Sequence, residues 1–114
     1  MYALKNKVQL IGNLGNAPEV KTFESGKKKA SFRMATTEVY RNAKGEKVKE
    51  TTWHNLIMWG KLAEIAEKHL TAGKEVAIEG KLINRSYDDK DGNKKYITEI
   101  QVNELLLLGV KQEA

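Results

Sequence analysis

The sequence predicts an all-β domain with one helix, built as a five-stranded Greek-key barrel. Five segments alternate between apolar and polar residues with the period of a β-strand, and one segment has the period of a helix. Turn-forming residues separate these segments, and the helix falls between the third and fourth strands. A chain of 114 residues can bury a core as one domain. We assign residues 1–109 to this domain and residues 110–114 to a short C-terminal stub.

The first two predicted strands cover residues 7–14 and 27–41, with a turn at residues 16–18 and a short extended piece at residues 20–23 between them. The predicted inward face of the second strand consists of Ala30, Phe32, Met34 and Thr36. Arg33 lies on the opposite face, where it needs water or a ligand because an unpaired buried charge would be too costly.

The third predicted strand, residues 51–60, holds both tryptophans of the chain. Its alternation gives one face of Trp53, Asn55, Ile57 and Trp59, and a second face of His54, Leu56 and Met58. Six residues at a strand's rise separate the two tryptophans by ~20 Å. Two interpretations remain open at this point. The rings either pack in the core or belong to a sheet surface that offers flat rings to flat ligands.

The only helical pattern covers residues 61–70, and two further strands follow at residues 75–87 and 96–102. The apolar stripe of the helix consists of Leu62, Ile65, Ala66, His69 and Leu70. Three strands, a helix and two strands are the connectivity of an OB-type barrel. In that fold the face of strands 2 and 3, together with two loops, binds oligonucleotides.

Charge is distributed unevenly along the chain. Residues 1–60 hold 11 Lys and Arg against 5 Asp and Glu, a net charge of +6, whereas residues 61–114 hold 9 against 10, a net charge of −1. A basic excess on one part of a small domain favours a polyanionic partner, although a merely soluble basic protein has the same balance.

Aromatic rings and cations interleave on the predicted strands and at their ends. The candidate stacking residues are Tyr40, Trp53, Trp59 and Tyr87, and the candidate phosphate-binding cations are Arg33, Lys49, Lys61 and Arg85. Single-stranded nucleic acid suits such a surface, because every base has a face that can stack and every phosphate carries a charge. A duplex hides its base faces.

Other classes of function find little support in the sequence. The chain has no cysteine, and His54 and His69 lie on different elements without metal-ligand spacing. Asp88, Asp89 and Asp91 before Gly92 resemble a calcium loop only weakly, because the downstream glutamate is missing. We therefore expect no enzyme activity, no metal and no cofactor. No apolar run reaches membrane-spanning length, and no signal or transit pattern precedes the domain, so we interpret the protein as cytoplasmic.

Several segments resemble the bacterial single-stranded DNA-binding proteins, in order and nearly without gaps from about Asn6 to Gly109. They are Asn6-Lys7-Val8 through Gly12-Asn13-Leu14-Gly15, Pro18-Glu19-Val20, Ala35-Thr36-Thr37-Glu38, Trp53-His54, Gly60-Lys61-Leu62-Ala63-Glu64 and Ile78-Glu79-Gly80-Lys81-Leu82. The resemblance implies an OB-fold, usually a homotetramer, that coats single strands in replication, recombination and repair. Trp53 matches a tryptophan of the family, Tyr40 and Tyr87 stand where it commonly has tryptophan, and Trp59 stands where it commonly has phenylalanine.

The resemblance also gives expectations about partners. His54 matches a histidine at the family's subunit interface, so we expect His54 and parts of the first strand in subunit contacts. Family members often continue into a disordered tail with an acidic tip that recruits other enzymes. This sequence stops at Ala114, and we expect partners that depend on such a tail to be recruited poorly.

Two alternatives to this interpretation stay open. A primosomal replication protein has the same fold without a tail and is usually dimeric. A protein-interaction module could instead dock a peptide on the aromatic face, and such a module should ignore a mixed-sequence oligonucleotide.

Overall fold

A computed structural model of the chain describes residues 4–108. Its elements, in order, are β1 (Val8–Leu14), β2 (Glu19–Thr22), β3 (Lys28–Arg41), β4 (Lys47–Trp59), α1 (Lys61–His69), β5 (Glu75–Asp88) and β6 (Lys94–Leu107). The predicted strands are all present. The last one is longer than predicted, because the apolar residues after Val102 continue to pair with β5 as far as Leu107. The predicted C-terminal stub lies outside the described residues.

Five of the strands close into a barrel. The sheet order is β1-β5-β6-β4-β3, and a second pairing of β1 with β3, at Asn13 with Ala35 and Leu14 with Met34, joins the two edges. The pairing of β4 with β6, at Leu56 with Ile100, is parallel, whereas the other pairings are antiparallel. This is the predicted five-stranded barrel with one helix. The short β2 pairs with β3 outside the closed ring.

The barrel interior is apolar, and α1 packs against it. The buried cluster consists of Leu14, Ala30, Phe32, Met34, Leu56, Met58, Ala63, Ala66, Leu70, Val76, Ile78, Ile100 and Val102. Ala63 and Ala66 are fully buried, so the helix contacts the strands through small side chains at close range. His69 was predicted on this apolar stripe but is exposed, because the buried face of the helix is centred on Ala63 and Ala66 and His69 lies at its edge. Among residues 4–108 no helix is long and apolar enough to cross a membrane.

The β3–β4 hairpin extends beyond the barrel as a two-stranded arm. Its register is continuous from Lys29 opposite Trp59 to Arg41 opposite Lys47. Within the barrel one face of this hairpin is buried, but in the stretch from Thr37 to Thr51 nearly all side chains are exposed. The β5–β6 hairpin extends in the same way, to Asp88 opposite Lys94. The barrel therefore carries two arms whose side chains are accessible on both faces.

Candidate nucleic-acid interface

The outward side of β3 and β4 carries the candidate side chains. The register places Arg33 opposite Asn55, Ala35 opposite Trp53 and Lys29 opposite Trp59. These positions alternate with the buried residues Phe32, Met34, Leu56 and Met58, so their side chains point away from the core. We call this surface, formed by Lys29, Arg33, Trp53, Asn55 and Trp59, the tryptophan face.

Trp53 is held in place and still half exposed. Its side chain has 49% of its area accessible, and the Arg33 guanidinium carbon lies 4.5 Å from the ring centroid. Gly15 lies against the six-membered ring so closely that a Cβ at this position would overlap it. The Gly15 N–H donates to the Arg33 carbonyl oxygen at 2.8 Å, which fixes this part of the chain to β3. The absence of a side chain at Gly15 therefore leaves the space that the Trp53 ring occupies.

Trp59 is more covered than Trp53. Its ring is stacked on Phe23, with centroids 5.9 Å apart and an angle of 27° between the planes. The Nζ atoms of Lys27 and Lys29 lie 5.3 and 5.6 Å from the Trp59 centroid, within cation–π range. Trp59 is only partly exposed, whereas Phe23 has 41% of its area accessible. The aromatic group at this end of the face is therefore a pair of rings with two cations.

A groove between the two tryptophans is lined mainly by polar side chains. Its walls are formed by Asn16, Glu19, Ser31, Phe32, Arg33, Asn55, Leu56, Ile97 and Glu99. Asn16 belongs to the scaffold of this groove, because its Oδ1 accepts a hydrogen bond from the Arg33 backbone N–H at 3.1 Å. The Asn55 side chain makes no hydrogen bond within residues 4–108 and is exposed. Its amide is available to a ligand.

Arg85, a predicted phosphate-binding cation, is paired with a carboxylate. Its Nε and Nη2 donate to the two oxygens of Glu99 at 2.9 and 3.1 Å. Glu99 is only 5% exposed, so this fork satisfies a carboxylate that has little access to water. The hydrogen bond to Glu99, more than its charge, raises the pKa of Arg85. Arg85 is therefore a compensated charge on this surface rather than a free one.

The remaining predicted residues lie around the tryptophan face. Tyr87 is 48% exposed on β5, two residues beyond Arg85 and on the same side of the strand. Lys49 is exposed on the β3–β4 arm, opposite Val39. Lys61 is exposed at the first position of α1.

Tyr40 does not share a side of the hairpin with Trp53. It is 45% exposed and pairs with Val48, so alternation places it on the opposite side, and its hydroxyl donates to Glu50 Oε2 at 3.3 Å. The Tyr40 ring is accessible on the arm, but an extended ligand bound only along the tryptophan face would not contact it.

His54 points towards the core side of β4. It pairs with Met34 in the register, is partly buried, and its Nε2 lies 3.0 Å from the Thr36 hydroxyl. The opposite orientation of His54 and Trp53 agrees with the alternation in the sequence. Neither His54 nor the other His, Asp and Glu side chains of residues 4–108 form a group of three that could hold a metal ion.

Three residues of this surface were not identified from the sequence. Phe23 is the last residue of the predicted extended piece at residues 20–23, and the lysines at positions 27–29 are the only nearby sign of a binding surface in the sequence. The sequence indicates a bend or a close approach of the backbone at Gly15, but that the approach is to the Trp53 ring depends on the closure of the barrel. Glu99 reaches the groove through the pairing of β4 with β6, which brings together residues more than 40 positions apart in sequence.

The chain is similar to known proteins over most of its length. A model of the single-strand binding protein family matches residues 5–108. Single-stranded DNA-binding protein 1 of Chlorobaculum tepidum is 46% identical over 107 residues, which cover 93% of this chain and 66% of the relative. The protein of the same name from Xylella fastidiosa is 40% identical over 109 residues, 95% of this chain and 80% of the relative. A single-stranded DNA-binding protein of Neisseria meningitidis is 42% identical over 108 residues, 95% of this chain and 62% of the relative.

The fold is also similar to that of a solved structure, the Plasmodium falciparum SSB complex with ssDNA. The TM-score is 0.84 at 30% identity, over 93% of this chain and 97% of that one. The chain spans less than two thirds of the length of the Chlorobaculum and Neisseria relatives. With a family match over residues 5–108 and a closed barrel of the same shape, this chain belongs to the single-strand binding protein family.

Proposed function

We propose that this protein binds and protects single-stranded DNA with little regard to sequence. The observation that carries the proposal is the environment of Trp53, a half-exposed ring fixed by Gly15 and Arg33 on the outward side of the barrel. A fixed ring loses little conformational entropy when a base stacks on it. The cation beside it can then neutralise a phosphate of the same strand.

Stacking and charge account for tolerance of sequence. Every base has a face that can stack on Trp53, and no base identity is required for a phosphate to meet Arg33 or Lys49. A duplex would not be bound in this way, because its bases stack on one another and expose only their edges in the grooves.

The names of the relatives support the same conclusion. Three similar proteins are single-stranded DNA-binding proteins, and the similar solved structure is a complex with single-stranded DNA. We extend this to a non-enzymatic role in replication, recombination and repair, carried out in the cytoplasm where such strands arise.

We also propose that the protein forms a homo-oligomer, with a tetramer as the expected state. A row of apolar side chains crosses the outer surface of three strands, because Ile11 pairs with Ala77 and Ala77 pairs with Leu106. Ile11 and Leu106 are 60% and 61% exposed, and a second copy of the chain would cover them. We keep His54, which is partly buried beside Thr36, as a second contact.

The test of the binding proposal is the substitution Trp53→Ala, measured with a mixed-sequence oligonucleotide. Affinity should fall by about 1–3 kcal/mol, the range known for loss of one base–aromatic stack in proteins of this class. Tyr96→Ala is the matched control, because Tyr96 is 74% exposed and does not line the groove. Unchanged affinity of the Trp53 variant, with a normal circular dichroism spectrum, would refute the role of this ring. If the unsubstituted protein ignored the oligonucleotide but captured peptides, the aromatic face would be a peptide-docking surface.

A further inference from the structure

The turn between β2 and β3 presents an aromatic ring that neither the sequence nor the family match assigns to a function. Phe23 is 41% exposed, and one side of its ring is stacked on Trp59. A single exposed apolar residue is common on folded proteins, so a role for Phe23 depends on what surrounds its ring. Around the pair lie Lys27 and Lys29, so that two rings and two cations occupy one small patch.

The turn is held in a defined conformation. The Phe23 N–H donates to the Lys27 carbonyl oxygen at 2.8 Å, and the Gly26 N–H donates to the Phe23 carbonyl oxygen at the same distance. Gly26 has a φ of 90°, which a residue with a side chain rarely adopts. Lys29 is the direct cross-strand partner of Trp59. Phe23 is thus anchored relative to Trp59 by backbone hydrogen bonds as well as by ring contact.

The patch is continuous with the tryptophan face. A second groove on the outside of β2 and β3 is lined by Glu19, Val20, Lys21, Phe23, Lys29 and Ser31. Two of these residues, Glu19 and Ser31, also line the groove that contains Arg33 and Asn55. One surface path therefore runs from Trp53 through the polar groove to Phe23.

We propose that Phe23, supported by Trp59, is a second base-binding position for the same DNA strand, with Lys27 and Lys29 meeting its phosphates. Trp59 has its ring covered by Phe23 and the lysines, so Phe23 presents the more accessible ring at this end. Trp59 acts as a positioning residue that holds Phe23. The inference rests on the proposed binding of single-stranded DNA. It adds a second base-binding position beside Trp59, about 20 Å along β4 from Trp53.

The experiment compares Phe23→Leu with Phe23→Tyr on oligothymidylates of increasing length. Leucine keeps apolar bulk against Trp59 but has no flat ring, whereas tyrosine keeps the ring. For strands long enough to reach from Trp53 to Phe23, Phe23→Leu should lower affinity about tenfold, within the range of one lost stack. Strands too short to reach both positions should bind equally well to the two variants. Tyr96→Leu, which removes an exposed ring elsewhere, should behave as the unsubstituted protein at all lengths.

A fluorescence measurement gives an independent readout. In a Trp53→Phe background Trp59 is the only tryptophan, and long strands should change its emission. Adding Phe23→Leu should reduce that change. Equal affinity of Phe23→Leu and Phe23→Tyr for long strands would overturn the inference. An equal loss on short and long strands would also overturn it, because the ring would then act through the shape of the barrel. If Trp53→Ala weakens binding while Phe23→Leu does not, only the second position fails and the proposed function stands.

Discussion

Glu99 is the least expected residue of the surface, because it places a carboxylate under a face that we propose binds a polyanion. Its two oxygens accept hydrogen bonds from Arg85, and it lines the same groove as Arg33. A buried carboxylate without such a partner would be strongly unfavourable. Glu99 therefore orders Arg85 on β5 and at the same time offsets its positive charge, although half of the Arg85 side chain stays exposed.

The substitution Glu99→Gln should tighten binding of single-stranded DNA. Glutamine can still accept a hydrogen bond from Arg85 but does not neutralise it, so Arg85 becomes a free cation. The plot of log affinity against log salt should become steeper by up to about 0.7, the increment for one more neutralised phosphate on a single strand.

Glu104→Gln is the matched control for this experiment. It removes the same charge from β6, but Glu104 is exposed on the side of the barrel that carries Ile11 and Leu106. If the two variants show the same slope, the effect is one of net charge alone and Arg85 does not reach the strand.

The β3–β4 hairpin forms part of the core at one end and an exposed arm at the other. Inside the barrel it supplies Phe32, Met34, Leu56 and Met58 to the core, and its outward side carries the tryptophan face. Beyond Thr37 and Thr51 no core faces the strands, so the arm is held by its own cross-strand pairs. Such an arm can contact a bound DNA strand from the side of the barrel. Lys49 and Tyr40 lie on this arm.

Lys49→Gln should weaken binding and flatten the salt dependence by up to about 0.7 in log–log slope, equally for all sequences. Lys49 is exposed and forms no ion pair within residues 4–108, so its removal leaves no buried group unpaired. Lys68→Gln on α1 is the matched control, since it is an equally simple loss of an exposed lysine that does not lie on the β3–β4 arm. A changed affinity with an unchanged slope would mean that Lys49 acts through packing of the arm.

At the scale of the whole molecule, the two sides of the barrel differ in chemistry. One side carries rings and cations around Trp53 and Trp59, whereas the side formed by β1, β5 and β6 carries the apolar row of Ile11, Ala77 and Leu106. Self-association through the apolar row would leave the tryptophan face of each subunit accessible. Assembly and DNA binding can therefore proceed on separate surfaces.

Ile11→Lys should dissociate the oligomer, because it places a charge in the apolar row that assembly would bury. Light scattering at micromolar concentration should give a smaller particle than the unsubstituted protein. Val39→Lys is the matched control, since Val39 is a similarly exposed β-branched residue on the arm. His54→Lys, measured in the same way, tests the second proposed contact.

The number of subunits in the unsubstituted protein distinguishes a tetrameric single-strand binding protein from the dimeric primosomal alternative. Four subunits agree with the proposed tetramer, and two would favour the primosomal alternative. A monomer at micromolar concentration would contradict the assembly proposal and leave the apolar row unexplained.

Local sequence patterns predict the secondary-structure elements and which side of β3 and β4 faces the core. Alternation along β3 and β4 is a local property, so the outward position of Trp53 and Arg33 and the core position of Leu56 and Met58 could be predicted without knowing the partners of either strand. For α1 the helical period predicts the burial of Ala66 and Leu70, whereas the burial of Ala63 and the exposure of His69 depend on how the helix packs against the strands. Family resemblance rests on motifs of a few neighbouring residues, which the sequence displays directly.

Contacts between distant segments were decided only by the tertiary structure. The barrel closes through β1 with β3 and β4 with β6, and these pairings bring Gly15 to Trp53 and Glu99 to the groove. The register of the β5–β6 hairpin pairs Arg85 with Glu99, and the turn between β2 and β3 sets Phe23 on Trp59 of β4. Local patterns do not encode these contacts, because each one depends on the register or the packing of separate segments.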